Sequence, residues 1–306
     1  MNKNYTNKNF LDYFNYLKIN KIPILFSLFL SLLASILISS FIQDKYKSFT
    51  IVSPVNEESG MNSMIQSYGS IASLAGIDID DANIDIADEA LEVLKSFHFF
   101  KVNVLPNINK ANLMALSSWN QENNTIIYNK KLYNSSKKEW QKNSKFKSNK
   151  EPSDQEAYKE FKKTVSVITD KETNFITISI SHASPYIAKK WLDILIREVN
   201  LVFRMSEKKE VSSSIQYIDT QLQINKNVNI DKTFNSILEK EMQKLILIEI
   251  RDEYVFKTLE PPIVSENNFS PNKPMIIIFL TLLGFFTSVI YFIVKYKIKS
   301  ILDNLK

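Results

Sequence analysis

Residues 22–42 read IPILFSLFLSLLASILISSFI and residues 275–294 read MIIIFLTLLGFFTSVIYFIV, stretches of 21 and 20 residues without a single charge. At ~1.5 Å of helical rise per residue, either one crosses a hydrocarbon core of ~30 Å. Both therefore read as transmembrane helices, and everything from 43 to 274 lies between them. A cleaved signal peptide is the alternative for the first. Its apolar stretch is long, however, and no small-x-small cleavage site stands clearly after it, which favours a retained anchor.

The flanks orient the pair. Lys3, Lys8, Lys18 and Lys21 precede the first stretch against Asp12 alone, and Lys295, Lys297, Lys299 and Lys306 follow the second against Asp303 alone. Lysine on both flanks places residues 1–21 and 295–306 on the cytoplasmic side and 43–274 on the far side. The same count explains the net charge of +5: each tail carries +3, leaving −1 in between. A nucleic-acid partner is thereby disfavoured, because the excess of positive charge sits at the membrane ends and the large segment between them nets −1.

Within the spans, Ser27, Ser31, Ser35 and Ser39 recur every fourth residue, and Thr281, Gly284 and Ser288 supply a small-residue set in the second. Such a stripe lets helices approach closely. No charged residue sits inside either span, so a proton relay or ion pathway has no candidate.

Between the spans, Phe49 and Ile51 alternate with Ser48 and Thr50, a strand-like period of two over Tyr46–Val52 that Pro54 is expected to end. Met61–Ile77, with Gly69 and Gly76 near its middle and end, reads as a short helix followed by a loop. Asp85 can cap another, with Asp88 at the capping-box position, running through Ala90, Leu91, Val93, Leu94 and Phe97. Residues 117–153 are rich in Asn, Lys and Ser, though Trp119, Tyr128, Tyr133 and Trp140 keep the stretch from reading as a plain linker. Val165–Ile168 and Phe175–Ser181, flanking Asp170-Lys-Glu-Thr173, predict a β-hairpin.

Pro185 opens a long helical pattern, with Ile187, Trp191, Leu195, Val199, Val202 and Met205 at three- or four-residue steps and Val211, Ile215, Ile218 and Leu222 beyond. Asn225–Asn229 is a polar turn. A second stripe then runs through Phe234, Leu238, Met242, Leu245 and Ile248 toward Leu259. Two long amphipathic helices over 185–260 make an antiparallel hairpin too narrow to bury its own apolar surface, so Trp191, Leu195, Val199 and Val202 are candidates for contact with another subunit. Pro261, Pro262, Pro271, Lys273 and Pro274 mark residues 261–274 as a stiff, extended connector into the second span.

Chemistry-bearing patterns fail in turn. The chain has no cysteine, which excludes disulfides, thiolate metal sites and cysteine nucleophiles. None of the four glycines opens a phosphate-cradling loop. His98, on an apolar helix face, and His182, after a strand, read as structural, and no cofactor or metal is expected. Asp78, Asp80, Asp81, Asp85 and Asp88 form the densest acidic run, but alanine and asparagine stand where a calcium loop needs an oxygen ligand and a glycine. No serine sits in a G-x-S-x-G elbow.

Four segments in order resemble the Wzz-type chain-length determinants of O-antigen and related polysaccharides, the class 1 polysaccharide co-polymerases. They are Tyr68-Gly-Ser-Ile-Ala-Ser-Leu-Ala-Gly-Ile77, Glu89-Ala-Leu-Glu-Val-Leu-Lys-Ser96, Ile178-Ser-Ile-Ser-His-Ala-Ser-Pro-Tyr-Ile-Ala188, and Arg251-Asp-Glu-Tyr-Val-Phe-Lys257 with the prolines at 261, 262, 271 and 274 and the second span. The chain departs from the family around Ser265 and Glu266, where a further proline is usual. The resemblance implies an α+β membrane protein of the bacterial inner membrane, with a periplasmic α/β base domain at 43–184 and a helical hairpin arm. It also implies a homo-oligomer that regulates lipopolysaccharide chain length beside a separate polymerase, without catalysis. Membrane lipid and the lipid-linked glycan are further candidate partners. The runner-up is a membrane adaptor of a capsule or exopolysaccharide exporter served by a separate tyrosine kinase. Only about a dozen residues follow the second span, so a fused kinase is not expected.

Overall fold

The computed structural model describes residues 16–55, 86–142, 145–146, 151–224 and 228–303. The expected helix over Met61–Ile77, the motif at Tyr68–Ile77, the acidic run from Asp78, the cap Asp85 and the first residues of the Asn225–Asn229 turn lie outside them. The chain divides into two compact units, one drawn from Met1–Lys45 and Asn268–Lys306, the other Tyr46–Asn267.

The first unit is a helix pair. α1, Lys21–Phe41, is the first apolar stretch, and its partner, Lys273–Asp303, carries the second. Both are long and apolar enough to cross a membrane. The second helix runs on through Lys295, Lys297 and Lys299.

The second unit is α+β. In chain order it comprises β1 (Tyr46–Pro54), α2 (Ile86–Leu94), helical turns from Phe97 to Asn107, and α3 (Lys110–Met114). Two small hairpins follow, β2 (Leu116–Asn120) with β3 (Thr125–Tyr128) and β4 (Tyr133–Asn134) with β5 (Glu139–Trp140). Then come α4 (Asp154–Thr164), β6 (Val165–Thr169), β7 (Ile176–His182), α5 (Pro185–Ile224), α6 (Val228–Ile250) and β8 (Phe256–Glu260). The final helix of the other unit is α7.

The main sheet has the antiparallel order β6-β7-β1-β8. The β6–β7 hairpin is the one expected, turning at Asp170, whose carboxylate accepts the backbone N–H of Glu172 and Thr173 and is held below its ordinary acidity range by those bonds. β8 adds the strand from the far end of the segment beside β1, with Leu259 bulged where the register shifts between Ile51 and Val52.

β1 has the expected period of two, and its inward face is largely polar: Ser48, Thr50 and Val52 are buried while Phe49 and Ile51 are only partly covered. The hydroxyls account for this: Ser48 Oγ donates to the Ile263 carbonyl at 2.8 Å and Thr50 Oγ1 to that of Glu260 at 2.6 Å, so the buried polar groups fasten the returning chain. The strand ends at Pro54 as expected, with Pro54 its last residue, opposite Phe256.

The core lies where α2, α4 and the first turns of α5 cover the sheet, around Ile178, Ile180, Phe99, Phe100, Trp191, Leu192 and Leu195. The helix expected from Asp85 to Phe97 stops at Leu94. Ser96 starts a new turn, its Oγ accepting the Phe99 N–H, and the backbone continues as a π-helical stretch through Val104. α4, not expected from the sequence, is opened by a capping box in which Ser153 and Glu156 exchange hydrogen bonds.

α5 has 40 residues, a rod of ~60 Å. Its basal turns are core, and its outer turns pair with α6 along a thin seam holding Val211, Ile218 and Ile248. Lys208–Glu249 and Lys244–Glu207 ion pairs bridge the two helices. The second stripe does not run helically to Leu259: α6 ends at Ile250, and 256–260 is the strand β8 because its backbone pairs with β1.

Candidate functional site

The serine stripe of α1 meets the small residues of α7. Ser35 Oγ and Thr281 Oγ1 stand 3.2 Å apart, and Ser31 Oγ lies 3.5 Å from the Thr281 carbonyl. A Cβ built on Gly284 would fall 2.3 Å from Ser31 Cβ, so the backbones come together there only because glycine has no side chain. Ser27, Ser31 and Ser35 also donate to carbonyls three residues back in their own helix, which satisfies them in an apolar medium. Ser35 and Ser39 are buried, Ser27 and Ser288 half-buried; among the described residues Ser39 Oγ finds no partner.

The connector residues divide between the units. Lys273 pairs with Asp44 at 2.8 Å, Asn268 donates to the same carboxylate, and Ser270 bridges to Lys45 through backbone hydrogen bonds. Pro274 occupies the first turn of α7, where a missing N–H does no harm, and Asn272 Oδ1 accepts the Met275 N–H. Pro271 follows Ser270 through a cis peptide.

Pro261 and Pro262 help line a cleft of about 420 Å³ at the root of the arm, with Asp193, Arg197, Asn200, Asp252, Glu253 and Thr258. Its charges are largely engaged: Lys189 holds Asp193, Arg204 holds Asp252, and Glu253 accepts the Thr258 N–H. The cleft is thus a knot of paired groups more than an open reaction site.

Asn200 organises that knot, and sequence reasoning missed it. Its Oδ1 accepts the Val255 and Phe256 N–H groups at 2.8 and 2.9 Å, while Nδ2 donates to the Ile196 and Phe256 carbonyls. A buried carboxamide thereby splices the outgoing helix to the returning strand. The available signal was an asparagine inside the apolar run Val199–Val202, where a helix gains nothing from it.

The residues expected at a subunit interface sit elsewhere. Trp191, Leu195 and Val199 are buried in the chain's own core, and Val202 packs partly against it. The stripe begins over the sheet, and the sheet covers it. Large apolar side chains left exposed on the arm lie farther along: Met205, Tyr217 and Ile224 on α5, and Met242, Ile246 and Ile250 on α6.

The histidines separate. His182 is buried against Trp191, its Nδ1 accepting the Ser184 N–H and its Nε2 3.1 Å from the Asn112 carbonyl, a structural role. His98 is exposed, so the apolar face assigned to it is not its environment: the chain turns at Ser96 and points it outward. Among the described residues no group of three or more metal-ligating side chains forms.

These features define an α+β protein with two apolar helices of membrane-spanning length, organised around packing surfaces. No family model matches the chain, and no curated protein matches it. Among solved structures it is similar to a full-length bacterial polysaccharide co-polymerase, at 12% identity over 95% of this chain and 99% of that one, with a TM-score of 0.40. It is also similar to a fragment of WzzB, a polysaccharide co-polymerase from Salmonella Typhimurium, at 11% identity over 74% of this chain and 100% of that one, with a TM-score of 0.29.

Proposed function

We propose that this chain is a Wzz-type regulator of polysaccharide chain length, acting without catalysis as a homo-oligomer beside a separate polymerase in the bacterial inner membrane. The observation that carries the reading is the 40-residue helix rising from a sheet whose neighbouring strands β1 and β8 adjoin the two apolar helices in sequence. That plan suits a membrane-anchored arm that spaces or gathers copies. The ordered motifs at Glu89–Ser96, Ile178–Ala188 and Arg251–Lys257 support it from the sequence side. The exposed apolar residues along the arm supply the self-association surface, a different set from the stripe at Trp191–Val202. The paired state of the charges at the arm root suits a scaffold better than an acid–base site.

The test is the length ladder of surface polysaccharide on a gel. Loss of the protein should leave polymer formation intact while broadening or shortening its distribution, and Met242→Glu with Ile246→Glu should do the same with reduced oligomer size. Abolition of polymer by one conservative carboxylate substitution, at normal expression and oligomer size, would overturn the non-catalytic reading.

A further inference from the structure

Three aromatic side chains meet on one edge of the α+β unit. Tyr46, the first residue of β1, packs edge-on against Trp119 of β2 with ring centroids 5.3 Å apart, and Trp119 lies 6.3 Å from Tyr186 in the first turn of α5. Tyr186 is 51% exposed, and Tyr46 and Trp119 are half-buried. The β2–β3 hairpin holds the indole in place: Trp119 Nε1 donates to Asn124 Oδ1 at 2.8 Å, and Asn120 Oδ1 accepts the Glu122 and Asn123 N–H groups inside the turn. Ile127, on β3, is also largely exposed.

Chain connectivity ties this cluster closely to the end of α1. Only residues 42–45 separate Phe41, the end of α1, from Tyr46, a contour of ~17 Å at most. At the other chain end, Ile263 is hydrogen-bonded to Ser48, so the segment leading to α7 also leaves near the start of β1. A bilayer's polar zone adds roughly 5–8 Å on each side of the hydrocarbon core. Rings with an apolar body and a polar tip, tethered at that distance, suit the lipid headgroup boundary.

We infer that Tyr46, Trp119 and Tyr186 form a membrane-interface foot that rests the α+β unit on lipid headgroups at the outer face of the bilayer. This rests on the reading of α1 and α7 as spans. The occupant is lipid and not a glycan or a second copy, because only residues 42–45 separate Tyr46 from the end of α1 whatever the oligomeric state.

The chain's three tryptophans, Trp119, Trp140 and Trp191, make the test direct. The full chain is reconstituted in phosphatidylcholine–phosphatidylglycerol vesicles carrying acyl chains brominated either near the headgroup or near the methyl end. Wild-type emission should be quenched by the shallow bromines more than by the deep ones, and Trp119→Phe should lose that difference while keeping the emission of Trp140 and Trp191. A Trp140→Phe, Trp191→Phe variant that folds should retain it. Emission quenched by aqueous acrylamide and untouched by either lipid would overturn the foot, as would emission shielded from both, the mark of cover by another copy or by glycan. Alkaline carbonate extraction separates the two readings: a chain that stays in the vesicles but shows no shallow quenching refutes the foot alone, whereas a chain that washes out refutes the spans as well.

Discussion

Replacing Asn200 by alanine is the perturbation that most directly probes how the arm is fastened. The side chain is 3% exposed and both of its polar atoms are engaged, so Asn200→Ala removes the acceptor of the Val255 and Phe256 N–H groups. An unsatisfied buried backbone donor costs about 1–3 kcal/mol, which puts the pair at about 2–6 kcal/mol. For a unit the size of Tyr46–Asn267, at roughly 2–4 °C per kcal/mol, a midpoint of that range lowers the melting temperature by about 8–16 °C. Hydrogen exchange localises the effect: peptides covering 253–260 should lose protection before those from β7. Asn200→Asp keeps both acceptor contacts but sets a carboxylate against the Ile196 and Phe256 carbonyls. It should be destabilised at neutral pH and partly recover on acidification, when a protonated oxygen can donate again. A melting temperature within a degree or so of wild type, with unchanged exchange at 253–260, would refute the reasoning.

The span seam should respond to volume. Gly284→Leu must displace Ser31, whereas Phe285→Ala removes atoms at a less constrained place; a disulfide between Ser35→Cys and Thr281→Cys, readily formed in the cysteine-free background, should form poorly when Gly284→Leu is added. Thr50→Val removes the buried bond to Glu260 at nearly constant shape and should cost about 1–2 kcal/mol by thermal denaturation, while Ile51→Thr on the opposite face should cost less. Stability should also fall at high pH. Burial alone would lower the Lys110 ammonium's pKa, but hydrogen bonds and charge from Glu151 and Asp154 outweigh it and raise the pKa above 10.5; burial, with Tyr133 beside it, raises the Tyr128 phenol above 10.0. Raised groups contribute stability in full below those ordinary values and lose it as pH climbs through the folded ones, so melting scans should decline beyond pH 10, and Lys110→Met with Tyr128→Phe should flatten the decline.

Much of this architecture was written in local periodicity. The uncharged stretches of α1 and α7, the three- and four-residue steps of α5, and the alternation of Ile176, Ile178 and Ile180 each report the environment of one element on its own residues, so one-dimensional reading suffices. The capping box at Ser153 and Glu156 was equally local, and legible though unread. What tertiary structure alone decided was what each element would face. Ser48 and Thr50 point inward because carbonyls more than 200 residues away supply their partners. Residues 256–260 leave the helical stripe because β1 offers a free edge and Asn200 captures the amides of Val255 and Phe256. Trp191, Leu195 and Val199 are core because a sheet built from three distant segments lies beneath them, and Trp119 meets Tyr46 and Tyr186 because a hairpin folds back onto it. A sequence pattern records that a face is covered. The identity of the cover is a long-range pairing between segments, chosen by the free energy of the whole fold, and no local window contains it.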